Sequence, residues 1–125
     1  MRDVTIRALD DRDHELIEAL ESVGMNRNSA AIIVYLASIP EVTSRALEVG
    51  CDLRQPEVSI AMRTLKEHNW IRETEIKAKG KGRPMKVYSL SVPIDEVIKH
   101  YEDEMIKHSK RTMGSIQRLR EIAAS

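Results

Sequence analysis

The chain has 125 residues, 42% hydrophobic and 32% charged, with a net charge of zero. That is apolar material for one modest core, and so high a charged fraction leaves much of the chain as surface or long exposed helix. The single cysteine, Cys51, excludes an intramolecular disulfide framework and a Cys-rich zinc site.

No apolar run approaches the roughly 18 residues of a membrane span, and the N-terminus lacks the apolar region of a signal peptide. The expectation is a cytoplasmic protein with no membrane partner. Aromatic residues are only 3%, with no Phe, and Tyr35, Trp70, Tyr88 and Tyr101 are scattered. A base-stacking platform for single strands or RNA loops usually clusters its aromatics, so that class of binding is disfavoured. The charge is unevenly spread. Residues 1–25 hold three basic and seven acidic side chains, whereas residues 54–90 hold nine basic and four acidic. A local positive field on a neutral chain suits a phosphate-binding face.

Residues 1–11 are polar and acidic without a strong period. From Arg12 to Val23, Leu16, Ile17, Ala19, Leu20 and Val23 recur at helical spacing, and Gly24 stops that helix. Asn26 or Asn28 caps a second helix carrying Ala31, Ile32, Val34, Tyr35, Leu36 and Ile39, which ends before Pro40. It is apolar on most faces and belongs at the centre of the core. Val42 precedes the N-cap residues Thr43 and Ser44, so a third helix starts there and runs to Val49 or Cys51. Asp52 and Leu53 form a tight corner, since Asp tolerates the left-handed backbone such a corner needs.

Pro56 fits the first turn of a fourth helix, over about residues 55–68. Val58, Ala61, Met62 and Leu65 fall at i, i+3, i+4 and i+7 and make one buried stripe. The opposite face carries Gln55, Ser59, Ile60 and Arg63, with Glu57 and Lys66 at its edges. Asn69 suits a left-handed C-cap. A β-like segment follows from Trp70 to Lys77 and another from Met85 to Val92. Between them, Lys79-Gly80-Lys81-Gly82-Arg83-Pro84 makes a basic hairpin loop. From Asp95 to about Ala123 only Gly114 interrupts a helical pattern. Its residues Ile98, Tyr101, Met105, His108, Thr112, Ser115 or Ile116, Leu119 and Ile122 fall near a 3-4 spacing that suits a dimer seam.

The major groove of B-DNA admits one α-helix, read by the side chains turned away from the core. Arg63 offers a fork to guanine, Gln55 an amide to adenine, Ser59 a hydroxyl to base or phosphate, and Ile60 an apolar contact to a thymine methyl. Pro56 and Lys66 lie on the same surface. Lys77, Lys79, Lys81, Arg83 and Lys86, over about residues 77–86, suit phosphate or the minor groove. No Ser/His/Asp set, paired-carboxylate pocket or phosphate loop points to an enzyme, and no cofactor is expected. His100, Glu104 and His108 share one helical face, a spacing more often solvated than metal-binding. Cys51 near this surface is a candidate redox sensor, though a lone cysteine there is more often a small packed residue.

Gln55, Pro56, Val58, Ser59, Ala61, Met62, Leu65, Trp70 and Ile71, with the stretch KGKGRPMKVYSL, resemble the recognition helix and wing of archaeal and bacterial winged helix-turn-helix transcriptional regulators of the ArsR, MarR and TrmB types. The resemblance covers about residues 28–92, and the long helix beyond resembles the dimerisation helix of the TrmB-like group. Asn69 stands where a glycine is often found. The chain has no room for the large sugar-binding domain of full TrmB-like proteins and lacks the paired cysteines of metal-sensing ArsR-like ones, so no effector is assigned. The expected fold is mainly α with a small β-hairpin. Residues 1–92 would form a winged helix-turn-helix DNA-binding domain with an N-terminal helix, and 93–125 a coiled-coil-like dimerisation helix. The resemblance implies a homodimer on double-stranded DNA. The alternative is a winged-helix protein-interaction module without specific DNA binding.

Overall fold

Acidic and amide side chains decide where the helices begin. In the computed structural model, which describes residues 8–76 and 84–125, Asp10 accepts from the Asp13 N–H at 2.8 Å while Asp13 accepts from the Asp10 N–H at 2.9 Å. This reciprocal cap starts helix α1, Asp11–Ser22. Asn26 caps α2, Arg27–Ser38, by accepting from the Asn28 and Ser29 N–H groups. Thr43 caps α3, Ser44–Gly50, by accepting from the Ala46 N–H at 3.1 Å.

Three helices end the same way, with a left-handed residue one place beyond the cap. After α1 it is Gly24, φ 112°, after α3 Asp52, φ 55°, and after α4, Gln55–Glu67, it is Asn69, φ 62°. In each the next residue donates back five positions: Met25 to Leu20 at 3.1 Å, Leu53 to Glu48 at 2.8 Å and Trp70 to Leu65 at 3.3 Å. These bonds satisfy carbonyls that the helix end would otherwise orphan. The Leu20–Met25 and Leu65–Trp70 pairs are all buried, so apolar packing supports two of the corners.

α2 is the centre of the core, with every residue from Ser29 to Leu36 buried, as its apolar pattern requires. A small antiparallel sheet closes the domain. Strand β2, Ile71–Ile76, pairs along its whole length with β3, Met85–Leu90, from Ile71↔Leu90 to Ile76↔Met85. The hairpin is wider than the sequence suggests. Val42 and Thr43 form a third strand, β1, on the other edge of β3, with Val42↔Tyr88 and Thr43↔Val87. Two residues are too short a run to show alternation, and Thr43 serves as both strand and helix cap.

The last helix, α5, spans Ile94–Ala124 and runs through Gly114. The chain divides into two compact units, Met1–Ile94 and Asp95–Ser125. Among the described residues no helix is long and apolar enough to cross a membrane.

Two features fix the approach of α3 to α2. A β-carbon on Gly50 would stand 2.6 Å from Tyr35 Cζ and 2.7 Å from its hydroxyl oxygen, and Tyr35 is wholly buried. Next to it, the Cys51 thiol is buried and lies 3.7 Å from the Ala31 carbonyl oxygen, and burial pushes its pKa up to about 12. A thiol held protonated and covered is a packing group, so Cys51 does not have the character of a redox sensor.

Gly50→Ala is expected to lower the unfolding free energy by about 1–3 kcal/mol, because a buried ring must move; urea denaturation measures it. Asn69→Ala is expected to cost about 1 kcal/mol while Asn69→Gly is neutral or stabilising, since only the left-handed backbone is at stake. Equal effects of the two substitutions would refute the corner's role.

Candidate nucleic-acid interface

The Asp52–Leu53 corner delivers the chain into α4. Pro56 occupies its first turn, where an N–H has no intrahelical acceptor. The Glu57 carboxylate accepts from the Arg54 N–H at 2.9 Å, and its other oxygen lies 3.5 Å from Asn28 Nδ2 at the start of α2. The first turn of α4 is thereby tied to the core helix.

Val58, Ala61, Met62 and Leu65 are buried, which fixes the helix's rotation. Gln55, Pro56, Ser59, Ile60 and Arg63 are all exposed. Ile60 is 66% exposed on the same face. The Gln55 amide donates to Ser59 Oγ at 3.0 Å, which orients both along the exposed face. Arg63 has no ion pair or hydrogen bond among the described residues, so its guanidinium fork is open.

Lys66 is differently placed. Its ammonium is bonded to the Glu73 carboxylate on β2 and lies 5.9 Å from the centre of the Tyr88 ring on β3. The Lys66 hydrogen bond is the main reason that the Glu73 carboxyl titrates below its ordinary range; partial burial opposes it, and the Lys66 and Lys86 charges and a Tyr88 hydrogen bond add to it. Burial, then the Glu73 charge and hydrogen bond, push the Tyr88 phenol up. An open cleft of about 440 Å³ runs between α4 and β3, lined by Ser59, Met62, Arg63, Lys66 and Glu67 from the helix and Lys86 and Tyr88 from the strand. The cleft therefore carries three cations and one carboxylate, with Arg63, Lys66 and Glu67 on the helix side and Lys86 on the strand side.

Lys86 is exposed on β3, opposite Glu75 in the register. Lys77, Lys79, Lys81 and Arg83 lie outside the described residues. Sequence reasoning missed Glu73 and Tyr88, because their proximity to Lys66 is set by strand register and by the corner at Asn69, neither of which shows in helical spacing.

In α5, every residue from Glu102 onward is exposed. Of the expected seam, Ile98, Met105, Ile116, Leu119 and Ile122 are exposed apolar side chains, at 40–65%, and Tyr101 is half-buried. The two polar positions are linked, the Thr112 hydroxyl donating to the His108 carbonyl oxygen at 2.9 Å. Ile106 and Met113 are also exposed, one place beyond Met105 and Thr112. Among the described residues no group of three His, Cys, Asp or Glu side chains converges as a metal site, and His100 instead meets the Tyr101 ring edge-on at 5.1 Å.

No family model matches the sequence, and no curated protein does. Solved structures do match. The archaeal chromatin protein TrmBL2 superposes with a TM-score of 0.65 at 16% identity, over 88% of this chain and 40% of its own. The chain thus spans two fifths of that protein's length. A possible transcriptional regulator of Methanosarcina mazei gives a TM-score of 0.58 at 14% identity, over 86% of each chain. A transcriptional regulator homologue of Pyrococcus horikoshii gives 0.53 at 15% identity, over 81% of this chain and 97% of its own. Mainly helical, with a three-stranded antiparallel sheet and a long C-terminal helix, this chain has the winged helix-turn-helix fold of archaeal TrmB-like and MarR-family regulators.

Proposed function

We propose that the chain is a sequence-specific, double-stranded-DNA-binding transcriptional regulator that acts as a homodimer. The observation that carries this reading is the exposed row Gln55, Ser59, Ile60 and Arg63 on the helix that follows a tight left-handed corner. The buried stripe of α4 holds the fold, and the outward row has no packing duty. Its mixture of amide, hydroxyl, alkyl group and open guanidinium matches the donor, acceptor and methyl pattern of major-groove edges. The fold relatives support the reading, since the archaeal chromatin protein binds DNA and others are transcriptional regulators.

In this reading Pro56 brings the helix N-terminus to the backbone, and α4 enters the major groove. Arg63 reads guanine. Lys66 and Lys86, with the wing cations Lys77, Lys79, Lys81 and Arg83, meet phosphates or the minor groove. The α5 helices of two copies pair through Ile98, Tyr101, Met105, His108, Thr112, Ile116, Leu119 and Ile122 and set half-site separation. So many exposed apolar side chains on a 31-residue helix support a seam that a second copy covers. The exposed Ile106 and Met113 would broaden it. The reading needs no effector, cofactor or enzymatic step.

Arg63→Ala is expected to weaken binding to a preferred site by about 1–3 kcal/mol and to relax preference at one base pair. Lys86→Gln should instead weaken binding on every sequence and flatten the salt slope by about one unit. Mobility shifts over a salt series measure both. Weak affinity that salt erases, with no sequence preference, would favour the protein-interaction module instead. Sedimentation at rising concentration should give a dimer, and Ile116→Asp with Leu119→Asp a monomer; a wild-type monomer at high concentration removes the seam.

A further inference from the structure

We propose that Glu73 is an internal stand-in for a DNA phosphate: it occupies Lys66 in the free protein and must release it when the duplex docks, which restrains sequence-independent affinity at this edge of the interface. The inference rests on the DNA-binding reading above. Lys66 and Arg63 lie one turn apart on α4 and line the same open cleft. Arg63 is open among the described residues, whereas the Lys66 charge is taken up by a carboxylate from β2. The same carboxylate takes a hydrogen bond from Tyr88 and feels the charge of Lys86. An ammonium group is a partner that a phosphate oxygen would seek, and here a carboxylate holds it, with a second ammonium and a phenol hydroxyl close by.

Both anions cannot keep the same donors, because like charges at that distance repel. While Glu73 stays paired, Lys66 contributes no net positive charge to counterion release. Glu73 thus separates the cleft into an open guanidinium for reading bases and a restrained ammonium for phosphate. An exposed ion pair contributes little to folding, so removing its charge acts on binding rather than on stability.

Glu73→Gln keeps the shape and the acceptor for Tyr88 and removes only the charge. Binding of a fluorescent random-sequence duplex is measured by anisotropy across a salt series for the wild type, Glu73→Gln, Lys66→Gln and the double variant. Glu73→Gln should bind about two- to five-fold tighter at moderate salt, the equivalent of releasing one surface pair. Its salt slope should steepen by about one unit. Lys66→Gln should abolish that gain, and alone should change the slope little. Wild-type binding that Glu73→Gln leaves unchanged or weakens overturns the inference and leaves the DNA reading standing, as does a gain that survives Lys66→Gln. Failure of wild type and Glu73→Gln alike to bind any duplex overturns the DNA reading and this inference with it.

Discussion

The buried ring of Tyr35 fills the space where any side chain on Gly50 would stand, and this contact sets how near α3 lies to the core helix. The consequences run along the chain. α3 ends at Gly50, the left-handed Asp52 turns the backbone, and α4 begins two residues after Leu53. Glu57 then joins the start of α4 to Asn28 at the start of α2. The buried stripe of α4 sets its rotation and these short links hold its first turn, so Gln55, Ser59 and Arg63 face outward. Packed interiors deform little, so a shift at Gly50 would be felt at the exposed face of α4.

Charge is then distributed on that frame with some economy. The chain is neutral, yet the stretch through α4 and the hairpin is basic. Within it the cations are not equivalent. Arg63 is open among the described residues, Lys66 is held by Glu73, and Lys86 faces Glu75 across the strands. In the proposed reading such a surface would attract duplex DNA modestly and in a salt-dependent way, and would leave discrimination to the groups whose hydrogen-bonding capacity is free.

Much of this was legible in the sequence where one short-range signal decided the outcome. The i, i+3, i+4, i+7 spacing of Val58, Ala61, Met62 and Leu65 identified the buried stripe, and with it the exposed row. Asp52 and Asn69 were readable as left-handed corners because few residue types tolerate that backbone. Features set by long-range geometry were hidden. Strand β1 is two residues concealed beneath a helix cap, visible only once β3 lies beside it. The role of Gly50 depends on a ring fifteen positions earlier in another helix. The Asp10–Asp13 box was overlooked because an aspartate takes the place of the usual Glu or Gln. Lys66 and Glu73 meet only through the strand register and the corner at Asn69.

We propose that the outward face of α4 reads sequence in duplex DNA for a two-fold-symmetric protein. Selection of binding sites from a random duplex pool tests it most directly. Two inverted half-sites should be enriched at a fixed separation of about one or more helical turns, with a guanine whose preference is lost in the Arg63→Ala protein. A pool that stays random through repeated selection at moderate salt, or one that enriches a motif unaltered by Arg63→Ala and without inverted symmetry, would contradict it.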